Sequence, residues 1–125
     1  MLKGAVLYAK SLECLTKFYT ALGGQLIESS DGEFAIVGHK EAELIILQTP
    51  EEIASQIVIE RPPIVRSTTP IKPIFQVSSL PSALNTLSDC GGATLPGANQ
   101  WMFRQHLVQD IVDPEGNVVQ LWQQV

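Results

Sequence analysis

Apolar residues recur along the chain with two periods, and the switch between them marks its elements. Leu12, Leu15, Tyr19 and Leu22 fall at i, i+3, i+7 and i+10, one face of a helix. Glu13 and Lys17 stand four apart on the other face, in the favoured polarity for an ion pair. A second stripe, Leu80, Leu84 and Leu87, has Pro81 in its first turn, where a missing N–H costs nothing. Ser11 and Ser79 stand before these stripes as N-caps, and Gly23-Gly24 and Gly91-Gly92 stand after them as C-caps. Short β-like runs lead into each helix, Ala5–Tyr8 and Ile74–Val77. Further strands are expected at 25–28, 33–37 and 44–48, and again at 93–95, 106–111 and 118–122. Turn residues separate them: Ser30-Asp31-Gly32, Gly38-His39-Lys40 and Pro114-Glu115-Gly116-Asn117.

The two halves are copies of one unit. Ser-Leu at 11–12 and Gly-Gly at 23–24 recur 68 positions later, at 79–80 and 91–92. Each copy reads β-α-β-β-β, the first over about 1–49 and the second over about 71–125, and together they are expected to form one domain. Residues 50–70 connect them; with Thr49 they are rich in proline and have room for a short strand or helix within 53–59. Towards the C-terminus the offset grows from 68 to 74, so about six residues are inserted in the second copy, at Gln100-Trp101-Met102-Phe103-Arg104-Gln105-His106.

Composition narrows the function. The chain has 125 residues, 45% of them apolar, enough to bury a core. No apolar run approaches the roughly 18 residues that cross a bilayer, so no membrane role is expected. The N-terminus lacks the pattern of a signal peptide, and two unpaired cysteines, Cys14 and Cys90, suit a reducing, cytoplasmic setting as small helical side chains. A net charge of −5 without a basic stripe argues against nucleic acid.

The closing segment Asp113-Pro114-Glu115-Gly116-Asn117-Val118-Val119-Gln120-Leu121 resembles the C-terminal signature of the glyoxalase, bleomycin-resistance and extradiol-dioxygenase (vicinal oxygen chelate) superfamily. The run from Ser11-Leu12-Glu13 through Phe18-Tyr19 to Leu22-Gly23 resembles its first helix, and the likeness covers the whole chain. It implies an α+β fold, duplicated βαβββ modules forming a curled mixed sheet around a cleft, and a homodimer. The tight turn itself explains Asp113, Pro114, Gly116 and Asn117, with solvent accounting for Asp110.

Metal-using members carry His and Glu on the first and last strands of each module. Carried over, those positions are Gly4, Ile46, Lys72 and Gln120, and a slip of one residue offers Ala5, Leu47, Pro73 and Leu121. None is a usual ligand, so no metal, cofactor or catalytic residue is assigned. His39 reads as a surface turn residue; His106 reads either as a plain strand position or as a base or ligand contact. Trp101, Phe103 and Arg104 either stack and orient a planar ligand at the mouth of the sheet or cover an edge or dimer contact. Trp122 reads as core; Tyr8 and Gln76 are open between core and pocket. The expected function is metal-free binding of a small organic molecule by Tyr8, Lys72, Gln76, Trp101, Phe103, Arg104, His106 and Gln120. The alternatives are a lyase, isomerase or dioxygenase with a displaced metal site, and a silent interaction domain.

Overall fold

The computed structural model describes residues 1–39, 41–66, 68–97 and 99–125, so Lys40 of the expected 38–40 turn lies outside the described residues. The first module runs β1 (Gly4–Ala9), α1 (Leu12–Ala21), β2 (Gln25–Ser30), β3 (Phe34–His39) and β4 (Ala42–Gln48). Its sheet has the order β1-β4-β3-β2, with β1 parallel to β4 and the other pairs antiparallel. A short helix, α2 (Glu51–Ala54), opens the connector, and no further helix or strand follows among its described residues. The second module runs β5 (Ile74–Gln76), α3 (Leu80–Thr86), a 3-10 turn at Ser88–Cys90, β6 (Ala93–Thr94), β7 (Trp101–Phe103), β8 (His106–Val112) and β9 (Val118–Gln124). Its order is β5-β9-β8-β6, with β5 parallel to β9 and β7 joined to β8. The architecture is thus α+β with two mixed sheets.

α1 and α3 begin where a serine hydroxyl can accept: Ser11 from Cys14 N–H and Ser79 from Ser82 N–H, each at 3.3 Å. A glutamine from the last strand of the same module meets another first-turn N–H. Gln48 accepts from Leu12 N at 3.0 Å, and Gln123 from Leu80 N at 2.6 Å. These matched side-chain caps belong to the duplication and escaped the sequence pattern. α1 ends at Gly23 with φ +104°, the left-handed conformation glycine adopts without strain. α3 stops sooner than α1 and tightens into the 3-10 turn, so Cys90 lies there rather than in an α-helix. Both cysteines are free and half-buried. Lys72–Asp110 is the ion pair formed among the described residues; Glu13 and Lys17 do not close theirs.

One apolar cluster draws on both modules, including Leu15, Phe18, Tyr19, Ile46, Leu80, Ile111 and Leu121. Tyr19 is its hinge point. Its ring stacks on Phe75 of β5 at 5.2 Å and meets Phe18 edge-on at 5.0 Å. Its hydroxyl donates to Asp113 Oδ2 at 2.6 Å. Asp113, fully buried, also accepts from Glu115 N, Asn117 N and Asn117 Nδ2 at 2.8–2.9 Å, which locks the turn whose Gly116 has φ +88°. Burial pushes the Tyr19 phenol well up from its ordinary value, and the nearby Asp113 charge adds to this. Burial also raises the Asp113 carboxyl, while its hydrogen bonds oppose the rise in part. Glu115 reaches back to the first module and accepts from Lys10 N and Ser11 N at 2.8 Å each. Thus the signature turn ties the end of the second module to the start of α1, beyond its role as a turn.

Candidate functional site

Strand alternation decides which side chains can form a site. In β9, Val119 and Leu121 point into the core, so Gln120 and Trp122 point away from it. The register extends this outward face across the second sheet. Gln120 lies beside Asp110 on β8 and Ile74 on β5, and Trp122 lies beside Val108 and Gln76. Trp101 pairs with Val108 and Phe103 with His106, so both aromatics of β7 join the same face. Lys72 precedes β5, and its ammonium reaches the face through Asp110 Oδ2 at 2.7 Å.

Six of the eight candidate residues therefore share one surface: Lys72, Gln76, Trp101, Phe103, His106 and Gln120. Arg104 sits at the tip of the β7–β8 hairpin, exposed, at positive φ. Tyr8 does not join them by pairing. It stands 65% exposed on the outward face of the first sheet, beside Leu47 and next in line to Val6. Tyr8 and Gln76 are both outside the core.

Several expectations change. Trp122 is not core: it stands half-buried on the outward face, because the parity of β9 assigns the core to Leu121. Phe103 meets its ring edge-on at 5.5 Å, His106 lies 5.1 Å away, and its Nε1 donates to Gln120 Oε1 at 3.0 Å. Asp110 is not solvated: its side chain is 14% exposed, and its Oδ1 is buried without a hydrogen-bond partner. The inserted aromatic segment forms an antiparallel strand that the sequence pattern did not mark, turned by Arg104-Gln105. His39, exposed as expected, ends β3.

Ile46 also changes position. It is fully buried in the core, and the outward neighbour is Ile45, paired with Val6. Gly4 lies opposite Glu43, with the Glu43 carbonyl where a Cβ would be. Neither Ile45 nor Ile46 is a metal donor, Lys72 is engaged by Asp110, and Gln120 accepts from Trp122. Among the described residues, no three of His, Cys, Asp and Glu gather as a possible metal site. The side chains at these positions do not fit the His-and-Glu metal centre that the resemblance implies.

Two hollows lie elsewhere. One, of about 1120 Å³, runs between the polar side of α1 and the β2–β3 hairpin, and includes Glu13, Lys17, Asp31 and Phe34. The other, of about 500 Å³, is framed by the connector and Glu115. Neither is lined by any of the eight candidates.

Neither a protein-family model nor a curated protein matches the chain. Solved structures do. A glyoxalase/bleomycin resistance protein from Albidiferax ferrireducens T118 superimposes with a TM-score of 0.69 at 17% identity, covering 100% of this chain and 99% of its own. A genomically encoded fosfomycin resistance protein from Listeria monocytogenes, solved as a mutant with Mn(II) and 1S,2S-dihydroxypropylphosphonic acid, reaches 0.69 at 14% identity, covering 100% and 90%. The bleomycin resistance determinant encoded on the transposon Tn5 reaches 0.57 at 14% identity, covering 99% and 98%. The chain therefore has the glyoxalase/bleomycin-resistance fold of the vicinal oxygen chelate proteins. No described helix is long and apolar enough to cross a membrane.

Proposed function

We propose that this protein binds a small planar organic molecule without a metal, on the outward face of its second sheet. The observation that carries the reading is the joint orientation of Trp101, Phe103 and Trp122 with His106, Gln120 and the Lys72–Asp110 pair. Three aromatic rings supply stacking area, and the polar groups supply orientation. Arg104, at the hairpin tip, can reach a carbonyl or anionic group on the ligand. The role is sequestration of a drug or metabolite in a cytoplasmic setting, and the neighbours named for antibiotic resistance lend it support.

A second copy of the chain completes the arrangement. The outward face of the first sheet carries Val6, Tyr8, Ile36, Ile45 and Leu47, with Val6 and Tyr8 53% and 65% exposed, an apolar surface of the kind that protein partners cover. In a homodimer, Tyr8 contributes to the ligand surface from this side.

The test is thermal unfolding of the purified protein with Zn²⁺, Mn²⁺, Fe²⁺, Ni²⁺ and Mg²⁺, and separately with planar aromatic compounds. A compound at 100 times its Kd adds about 2.7 kcal/mol to the folded state. The expected result is no rise with the metals and a rise with an aromatic compound that Trp122→Ala abolishes. One equivalent of metal, lost on His106→Ala, contradicts the proposal.

A further inference from the structure

The turn that leads into His106 holds the positive-φ non-glycine residues found among the described residues. Arg104 and Gln105 are the two central residues of the β7–β8 hairpin, and their φ angles are 47° and 62°. Two consecutive positive φ values define a type I′ turn, which Asn and Gly adopt cheaply and Arg and Gln do not. Strain of this kind persists where the surroundings enforce it, often beside a functional group.

Here its product is local. The Arg104 carbonyl lies 2.8 Å from His106 Nδ1. A carbonyl can only accept, so Nδ1 carries a proton; in the uncharged imidazole, Nε2 is then left as an acceptor. The ring is held a second time by Trp122, 5.1 Å away at 49°. Trp122 is itself fixed by its bond to Gln120 and by the edge contact from Phe103. A directional acceptor thus sits directly against immobilised aromatic surface.

We infer that His106 Nε2 selects planar heteroaromatic ligands bearing an N–H in the ring plane, and that the Arg104-Gln105 turn is its positioning device. The inference rests on the proposed binding role of this face and names its ligand class. A ring stacked at Trp122 can donate its in-plane N–H to Nε2. A methyl group on that nitrogen keeps the stacking area but removes the donor, leaving Nε2 unpartnered in the complex. A ligand offering only acceptors gains nothing from His106.

The experiment compares benzimidazole with 1-methylbenzimidazole on the full-length chain at pH 8. Affinities are read by NMR from the indole N–H signals of Trp101 and Trp122, and the His106 ring nitrogens are followed by ¹⁵N labelling. Benzimidazole is expected to bind about tenfold more tightly, a modest effect for one hydrogen bond. Its binding should shift the Nε2 signal. His106→Phe should erase the preference while leaving the methylated compound bound. Gln105→Gly, which keeps the positive φ, should preserve the preference, and Gln105→Val should reduce it. If both compounds bind with equal affinity, the inference fails and the binding role of the face stands. If neither binds, the proposed role of the face fails, and the inference with it.

Discussion

The two modules agree inside the molecule and disagree outside it. Inward, Leu44 and Ile46 of the first match Val119 and Leu121 of the second, all buried. Gln48 and Gln123 cap the matching helices. Outward, the first sheet presents Val6, Ile45 and Leu47 where the second presents Ile74, Gln120 and Trp122. The core has to stay close-packed and its helix ends hydrogen-bonded, so duplication preserves those positions. The outward faces carry no such constraint, and they have separated into an apolar surface and an aromatic, hydrogen-bonding one.

The junctions between the last two strands of each module separate further, and this is where the largest effect is expected. Asp113 follows β8 and His39 ends β3, one fully buried within four hydrogen bonds and the other exposed. Asp113→Ala strands the Tyr19 hydroxyl and two backbone N–H groups, and should destabilise the fold by about 3–5 kcal/mol in urea unfolding. His39→Ala should stay within about 0.5 kcal/mol. Similar losses at both sites would break the asymmetry.

Next comes the bond between modules. Tyr19→Phe keeps the ring stack and removes the hydroxyl, with an expected loss of about 1–2 kcal/mol at neutral pH. Its pH dependence has a definite sign. Because the folded phenol is held above its ordinary value near 10, the folded state keeps a proton that the unfolded chain releases. Its contribution is complete at neutral pH and is lost as pH rises above about 10. Tyr19→Phe should therefore flatten the alkaline limb of the stability curve.

Smaller again are the matched glutamine caps. Gln123→Ala removes the partner of Leu80 N–H and should cost about 1 kcal/mol. Gln48→Ala should cost more, since Gln48 also donates to Lys10 O at 2.7 Å and Thr49 O at 3.2 Å. The smallest effect is a gain. Gln105→Gly should stabilise by about 0.5–1 kcal/mol, seen as a raised Tm, because glycine adopts the φ of 62° without strain.

How much of this was legible follows from which residues advertise themselves. The Ser caps, the Gly-Gly stops and the helical stripes have strong local preferences, so the duplicated α+β plan could be read directly. The Gln caps could not, because glutamine is no specialist at helix starts and its reach depends on the last strand returning alongside. Strand β7 was hidden by its turn: Arg104-Gln105 lacks the Asn or Gly that marks a two-residue hairpin. Parity was the weak point of the site. Counting from the 113–117 turn led to Ile46, whereas the sheet turns Ile45 outward. The same period-two rule, applied to β9, moves Trp122 from core to surface. Asp110 reads as solvated in the sequence because its partner Lys72 is 38 residues away and comes alongside only once β5 lies against β9.

The most direct measurement is backbone amide NMR of the ¹⁵N-labelled protein titrated with acridine, a planar tricyclic probe. The expected shifts cluster in residues 74–76, 101–108 and 120–124, the strands that hold the outward face of the second sheet. Shifts confined to the hollow between α1 and the β2–β3 hairpin would contradict this assignment and move ligand binding to the first module.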